Sequence, residues 1–471
     1  MASSNGQEDQ IISPFTGECV GVVPLATSED VDTAIQAAQR AFEKWSRTPA
    51  HQRVAILNAA ANLAEERAPE IARIISQENG KSLIEAQGEA GRSADIIRLA
   101  AFEGSQLYGS TLPLDANKGT GFDKIGFTLR QPVGIVGAIS PFNYPALLVL
   151  HKIAPALAAG NAVVLKPARA TPLTALALAQ CFVDAGIPAG VLNVVTGAGS
   201  TVGESLAADR RVRKISFTGS TAVGERITEI AGIKKLSLEL GASGPVIVAA
   251  DADIDAAARA IALGGYINAG QVCISAQRII VDASVHAEFI AALKPLVESI
   301  SVGDPFAATT TVGTLINESE ATRVREAIDT AVAGGAHLVT GGQQDGALIK
   351  PAILTKVDPY SPIAQEELFG PAVAVSVAEN FGHAIALANS TSYGLGAGVF
   401  TNNTAQSIRA MREIESGVIH INWTQLWRAD LMPYGGLKAS GIGKEGLRSA
   451  VEEMTEMKTI IMHGSPWDVQ G

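Results

Sequence analysis

Five short stretches hold residues able to take part in bond making. Cys273 lies in GQVCISAQR, residues 270–278, and the other two cysteines, Cys19 and Cys181, are far from it in sequence. Beside a base, such a thiol is a nucleophile; without one it is a small buried hydrophobe. Glu239 lies between Leu238 and Leu240 in LSLELGASGP. A carboxylate in an apolar strand has a raised pKa unless paired, which suits a general base. A strand of alternating faces would instead turn it to water. Asn143 lies in SPFNYP, a loop stiffened by two prolines. A rigid amide can donate to a developing oxyanion, and asparagine also serves ordinary turn geometry. Lys166 ends the apolar run AVVLK, and Pro167 stops the strand. Ligands bind at the carboxyl edge of α/β sheets, so this lysine can meet ribose hydroxyls or project into solvent. In FTGSTAVG, residues 217–224, a strand turns into a helix at Gly219. Free N–H groups there favour a phosphate. The stretch is not a GxGxxG fingerprint, and a plain strand–helix turn explains it equally.

These residues need a scaffold that gathers distant segments. From residue 132, the apolar runs 135–140, 162–166, 191–195, 214–217 and 235–240 alternate with helix candidates at 145–159, 172–185, 200–208 and 220–231. That alternation predicts βαβ units and a parallel sheet buried on both faces. A second set follows, with strands at 245–249 and 278–281, helices near 253–269 and 284–299, and further units to about residue 425. Upstream, Thr27-x-x-Asp30 resembles a capping box that opens a helix over 27–45, followed by helices over 52–67, 69–78 and 82–107. Residues 113–131 and 456–463 read as strands outside both sheets, available to pair across a subunit interface.

The 471 residues allow about three domains, or two large ones with an appendage. A hydrophobic share of 47% with 47 glycines suits an α/β protein. The net charge of −11 argues against a nucleic-acid partner. No signal peptide or membrane span is read, so a cytoplasmic location is expected. The seven scattered histidines include no HExxH, so no metal is expected.

Taken in order, PFNYP, LKPA, FTGSTAVG, LELG, GQVCISAQR, EELFGPAV (366–373) and MPYGGLKASGIGKEG (432–446) resemble the aldehyde dehydrogenase superfamily over about residues 11–463. The resemblance implies two doubly wound α/β domains and a small β oligomerisation appendage. The cofactor-binding domain would comprise 1–112 and 132–241, the catalytic domain 242–446, and the oligomerisation segments 113–131 and 447–471. It implies Cys273 as nucleophile, Glu239 as base and Asn143 as oxyanion donor with the Cys273 N–H. NADP or NAD would lie against Ser140, Phe142, Lys166, Arg169, Gly199, Gly203, Phe217, Gly219, Ser220, Leu240, Glu367 and Phe369. The substrate tunnel would be lined by Tyr144, Leu147, His151, Ile267, Trp427, Arg428 and Tyr434.

Departures from the family pattern carry information too. NAD-preferring members often place Glu three residues after the motif lysine; here Arg169 stands there, and an arginine attracts a 2′-phosphate. His151 and Arg428 in the tunnel favour a short polar or anionic aldehyde, oxidised to its acid through a thioester. Arg428 can instead pair with Asp430, leaving His151 a structural contact. A homodimer or homotetramer is expected. Two other readings use the same residues: a cysteine acyl-transfer or hydrolytic enzyme without redox chemistry, and a silent structural homologue.

Overall fold

The computed structural model describes residues 3–464, so the end of the segment expected over 447–471 lies outside the described residues. The runs IVGAI and AVVLK form strands Ile135–Ile139 and Ala162–Lys166, buried at every position. Apolar, β-branched runs of this kind fit the middle of a parallel sheet, where neither face meets water. Parallel pairing adds Leu192–Val194 on one side, and Val212–Thr218 then Lys235–Glu239 on the other. The short strand Gly441–Ile442 closes that edge antiparallel, making six strands. Register matters for the chemistry. Ile139 is opposite both Lys166 and Phe217, and Thr218 is opposite Glu239, so four strands end side by side.

Helix Ser28–Trp45 opens with the expected capping box, Thr27 and Asp30 each closing on the other's backbone. The helix expected over 82–107 is two, Leu83–Gly91 and Ser93–Ser105. At the junction the Arg92 N–H bonds to Glu89 O, three residues back, which tightens the turn. Leu147–Ala158 is buried all round, even at His151 and Lys152. A helix this apolar belongs inside the molecule, and it carries the wall of the site with it.

The second sheet has seven strands in the order His337–Thr340, Ala352–Thr355, Ala372–Ala378, Arg278–Asp282, Pro245–Val248, Gly396–Phe400, Val418–Ile421. All neighbours are parallel except the first pair. The helix expected to reach 269 stops at Gly264, where two consecutive glycines weaken it. Beyond it, Asn268 and Ala269 take left-handed backbone (φ 51° and 52°) just before the cysteine. A third sheet joins Thr455–His463, Lys124–Pro132 and Thr111–Leu112 antiparallel. One element was not read from the sequence: the N-terminal hairpin Glu8–Ile12 with Cys19–Pro24.

Candidate active site

Two cavities meet at Cys273. The larger, about 690 Å³, runs over the carboxyl ends of the six-stranded sheet. The smaller, about 300 Å³, lies between helices Leu83–Gly91 and Leu147–Ala158 and the loop that carries Leu426 and Arg428. Asn143 and Cys273 line both.

Cys273 is half-buried, and burial pushes its thiol up to about 12. The Tyr434 hydroxyl lies 3.3 Å from its sulfur and acts the other way, favouring the thiolate as donor. Asn143 Nδ2 donates to Gln271 O at 2.8 Å, which orients the amide and leaves its second hydrogen for another acceptor. Glu239 is buried at the end of its strand with Oε2 unpartnered. Burial, then the neighbouring Glu445 charge, holds its carboxyl well above the ordinary carboxylate range. It lines neither cavity: Oε1 faces Gly435, where a Cβ would come within 2.8 Å of it.

The larger cavity gathers every residue expected to hold the cofactor. Lys166 Nζ rests on Pro167 O at 3.0 Å; burial, with Arg169 nearby, brings its pKa down to about 8. Helix Thr221–Ile230 opens into the cavity from Ser220 with no side-chain cap, so first-turn N–H groups are free for an anion. A Cβ on Gly219 would strike the Phe217 ring at 2.5 Å, whereas Gly199 and Gly203 leave open space. Ser140 Oγ is buried without a partner. Glu367 accepts from the Ala242 N–H at 3.1 Å, and burial raises it to about 7. Phe369, at φ 50°, meets Phe142 edge-on at 5.8 Å. This wall of uncapped N–H groups, lysine and aromatic rings fits a dinucleotide.

The smaller cavity contains Tyr144, Leu147, His151, Ile267, Arg428 and Tyr434, as expected. Trp427 is not among its lining residues. It is 58% exposed and meets His420 edge-on at 6.3 Å, because the loop turns its neighbour Arg428 inward instead. Sequence reading also missed Lys81, Glu85, Glu89 and Arg92, which line the opposite wall. The four-residue spacing of Lys81, Glu85 and Glu89 in KSLIEAQGE, with Arg92 three residues on, was the available signal. Lys81 pairs with Glu89, donates to Asn143 O at 2.9 Å and lies 3.8 Å over the Tyr144 ring. Glu85 accepts from the Asn268 N–H at 2.9 Å, and burial raises its carboxyl to about 7.

Arg428 does not pair with Asp430. Its Nη1 meets Glu445 Oε2 at 3.1 Å, its Nη2 lies 3.5 Å from His151 Nδ1, and its Cζ stands 4.0 Å over the Tyr434 ring. Asp430 is held by Arg92 at 2.6 Å and His151 Nε2 at 3.3 Å. Burial and the Arg428 charge lower the His151 pKa, so the ring is neutral at pH 7. Lys152 binds the other oxygen of Glu445 at 3.0 Å.

The aldehyde dehydrogenase family model matches residues 1–460. The chain belongs to the aldehyde dehydrogenase family. It is 42% identical over 460 residues to a 3-sulfolactaldehyde dehydrogenase of Priestia megaterium, covering 98% of this chain and 96% of that one. It is 38% identical over 463 residues to an NADP-dependent succinate-semialdehyde dehydrogenase of Escherichia coli, covering 97% and 95%. A solved NADP complex of glyceraldehyde-3-phosphate dehydrogenase from Bacillus halodurans superposes with a TM-score of 0.97 at 38% identity, covering 99% and 98%. The protein is an NAD(P)-dependent aldehyde dehydrogenase with that family's two-domain α/β fold. Among the described residues, no helix is long and apolar enough to cross a membrane.

Tyr434→Phe removes the one hydrogen bond from the sulfur. Its loss raises the thiol pKa, so the acidic limb of the reaction moves to higher pH. A bond to a charged group is worth about 1.5–3 kcal/mol, hence a shift of about one pH unit or more. Iodoacetamide labelling of Cys273 across pH will read it, with rates about tenfold slower at fixed pH below the pKa. An unmoved limb shows that Tyr434 does not support the thiolate.

Proposed function

We propose that this dehydrogenase oxidises a short anionic aldehyde to its carboxylic acid by covalent catalysis at Cys273. The observation that carries this reading is the meeting of the two cavities at Asn143 and Cys273. A carbon bound there is open to a hydride acceptor from one side and seated in a small charged pocket on the other.

Glu239, with its raised pKa, takes the thiol proton, and the sulfur attacks the aldehyde carbon. The resulting oxyanion is held by the free hydrogen of Asn143 Nδ2 and the Cys273 N–H. Lys166 would hold the cofactor's ribose, the Ser220 turn its pyrophosphate, and Glu367 with Phe369 its nicotinamide end. Bound against these residues, NADP or NAD would supply the hydride acceptor for the tetrahedral carbon. The acyl group is then a thioester on Cys273. Glu239, once it has released the thiol proton to solvent, takes a proton from water, the hydroxide adds to the thioester carbonyl, and the sulfur leaves as thiolate. That release yields the acid and separates this reading from transfer of the acyl group to another acceptor.

An anionic substrate is supported by the charges that line the smaller cavity. Lys81, Arg92 and Arg428 outnumber Glu85 and Glu89, and burial raises the Glu85 carboxyl to about 7. Arg428 Nε is buried without a partner, and a buried charged donor calls for one. Relatives named for sulfolactaldehyde and succinate semialdehyde point the same way. NADP is favoured because Arg169 stands at the rim of the larger cavity. Association of two or four copies is supported by strand Thr455–His463, an edge strand with Met457, Ile461 and Met462 exposed.

Cys273→Ala will abolish dehydrogenation while nucleotide affinity stays within about twofold, read by fluorescence titration. Glu239→Gln will give a pre-steady-state burst of reduced cofactor and steady-state turnover lower by at least about 100-fold. A burst slower than wild type would show that Glu239 also serves the thiol. Unchanged turnover would remove it from the mechanism.

Arg428→Leu will lower kcat/KM for an anionic three- or four-carbon aldehyde by about 10- to 100-fold, the worth of a charge-assisted hydrogen bond. The neutral analogue of equal length will change by less than about threefold. Equal losses for both would mean that the arginine only supports the pocket wall.

A further inference from the structure

The N-terminal hairpin reaches the larger cavity through one side chain. Asp9, on strand Glu8–Ile12, accepts from Arg169 Nε at 2.5 Å and from Nη2 at 3.0 Å, across 160 residues of sequence. Its side chain is only 15% exposed, while that of Arg169 is 59% exposed. The hairpin is tied down as well. Asp9 is in register with Val23, Pro24 O accepts from the Thr196 hydroxyl, and the Ala26 N–H donates to Thr196 O at 3.0 Å. The carboxylate is therefore the fixed half of the pair, and the guanidinium is the half free to swing.

Arg169 lines the cavity beside Lys166. The other guanidiniums along its wall are also engaged: Arg226 with Glu204 and Glu229, and Arg323 with Glu320 and Leu368 O. A fork gripping one carboxylate through Nε and Nη2 cannot offer the same two N–H groups to a phosphate. A fixed carboxylate also repels an incoming dianion.

We propose that Asp9 is a specificity-determining residue for the cofactor: it competes with the 2′-phosphate of NADP for Arg169 and so moderates the preference for NADP over NAD. The inference rests on the reading that Arg169 faces the 2′ position. NAD carries a neutral hydroxyl there, which does not require the pair to open. The hairpin thus decides how much of the Arg169 charge the cofactor meets.

The test measures binding without turnover. Dissociation constants for NADPH and NADH are read by nucleotide fluorescence on the full chain, without aldehyde, in wild type, Asp9→Asn, Arg169→Leu and the double variant. Asp9→Asn is expected to tighten NADPH about three- to tenfold, the worth of a solvent-exposed pair plus the removed repulsion, with NADH within about twofold. Arg169→Leu is expected to weaken NADPH alone and to erase the effect of Asp9→Asn in the double variant. If Arg169→Leu lowers NADPH affinity but Asp9→Asn leaves the ratio of the two constants unchanged, the Asp9 proposal is overturned and the Arg169 reading stands. If Arg169→Leu leaves the ratio unchanged, the Arg169 reading falls and the proposal with it. Equal weakening of both nucleotides by Asp9→Asn, repeated in Asp9→Ser, overturns the proposal by marking Asp9 as a hairpin anchor only.

Discussion

The backbone carbonyl of Asn143 accepts two hydrogen bonds at once, and the active site depends on that fact. Lys81 Nζ reaches it at 2.9 Å from one side and Asn268 Nδ2 at 3.0 Å from the other. Asn143 Nδ2 returns a bond to Gln271 O at 2.8 Å. One residue thus ties the first sheet's loop to the turn that presents Cys273. That turn needs holding. Left-handed backbone at a non-glycine residue costs on the order of 1 kcal/mol or more, and two such residues stand in a row before Gly270. The Glu85 carboxylate on the Asn268 N–H and the Gln271 amide on Asn268 O, 3.1 Å away, hold both backbone groups of Asn268. Because the strained turn and Asn143 share their bonds, the Cys273 sulfur and the Asn143 amide cannot drift apart independently.

Beside this lattice, two buried carboxyls meet opposite environments. Glu239 has an unpartnered oxygen and is pushed toward its neutral form. Burial works against the Glu445 charge as well, yet Lys152 and Arg428 hold it well below the usual range. Environments that split two acids in this way separate a group able to exchange a proton from a fixed charge. The fixed charge also restrains Arg428, which would otherwise be a buried guanidinium with no anionic partner, only the Tyr434 face and the His151 ring beside it. An anion entering the smaller cavity therefore meets an arginine already oriented, so little side-chain entropy remains to be lost on binding.

How much of this the sequence disclosed follows from how local each feature is. Strand runs such as AVVLK and the capping box at Thr27 are set by neighbours a few residues away, and both formed where their patterns indicated. Helix ends were less legible. The break at Arg92 hinges on one backbone bond and the early stop at Gly264 on a pair of glycines, and hydrophobic periodicity encodes neither. The N-terminal hairpin was missed because its strands are short and mostly exposed: Glu8–Ile12 begins with three polar residues, and the apolar Cys19–Pro24 buries only Val23 fully.

The site divides along the same line. Asn143, Lys166 and the Gly219–Ser220 turn line the larger cavity because each ends a strand or stands just beyond one, and strand order brings those ends together; Cys273, Glu367 and Phe369 reach it from turns ahead of their strands. Charge partners were not legible, since pairing depends on which elements pack and not on which residues are adjacent. Asp430 is two residues from Arg428, yet it binds Arg92, far upstream, while Arg428 turns to Glu445. The two side chains meet the same His151 ring at different nitrogens, Arg428 at Nδ1 (3.5 Å) and Asp430 at Nε2 (3.3 Å), so the imidazole stands where a direct pair would form. Trp427, next to Arg428, turns outward instead. A charged loop residue beside a cavity has to be assigned from the element it packs on, and here that element is helix Leu147–Ala158, which carries His151 and a wall of the smaller cavity.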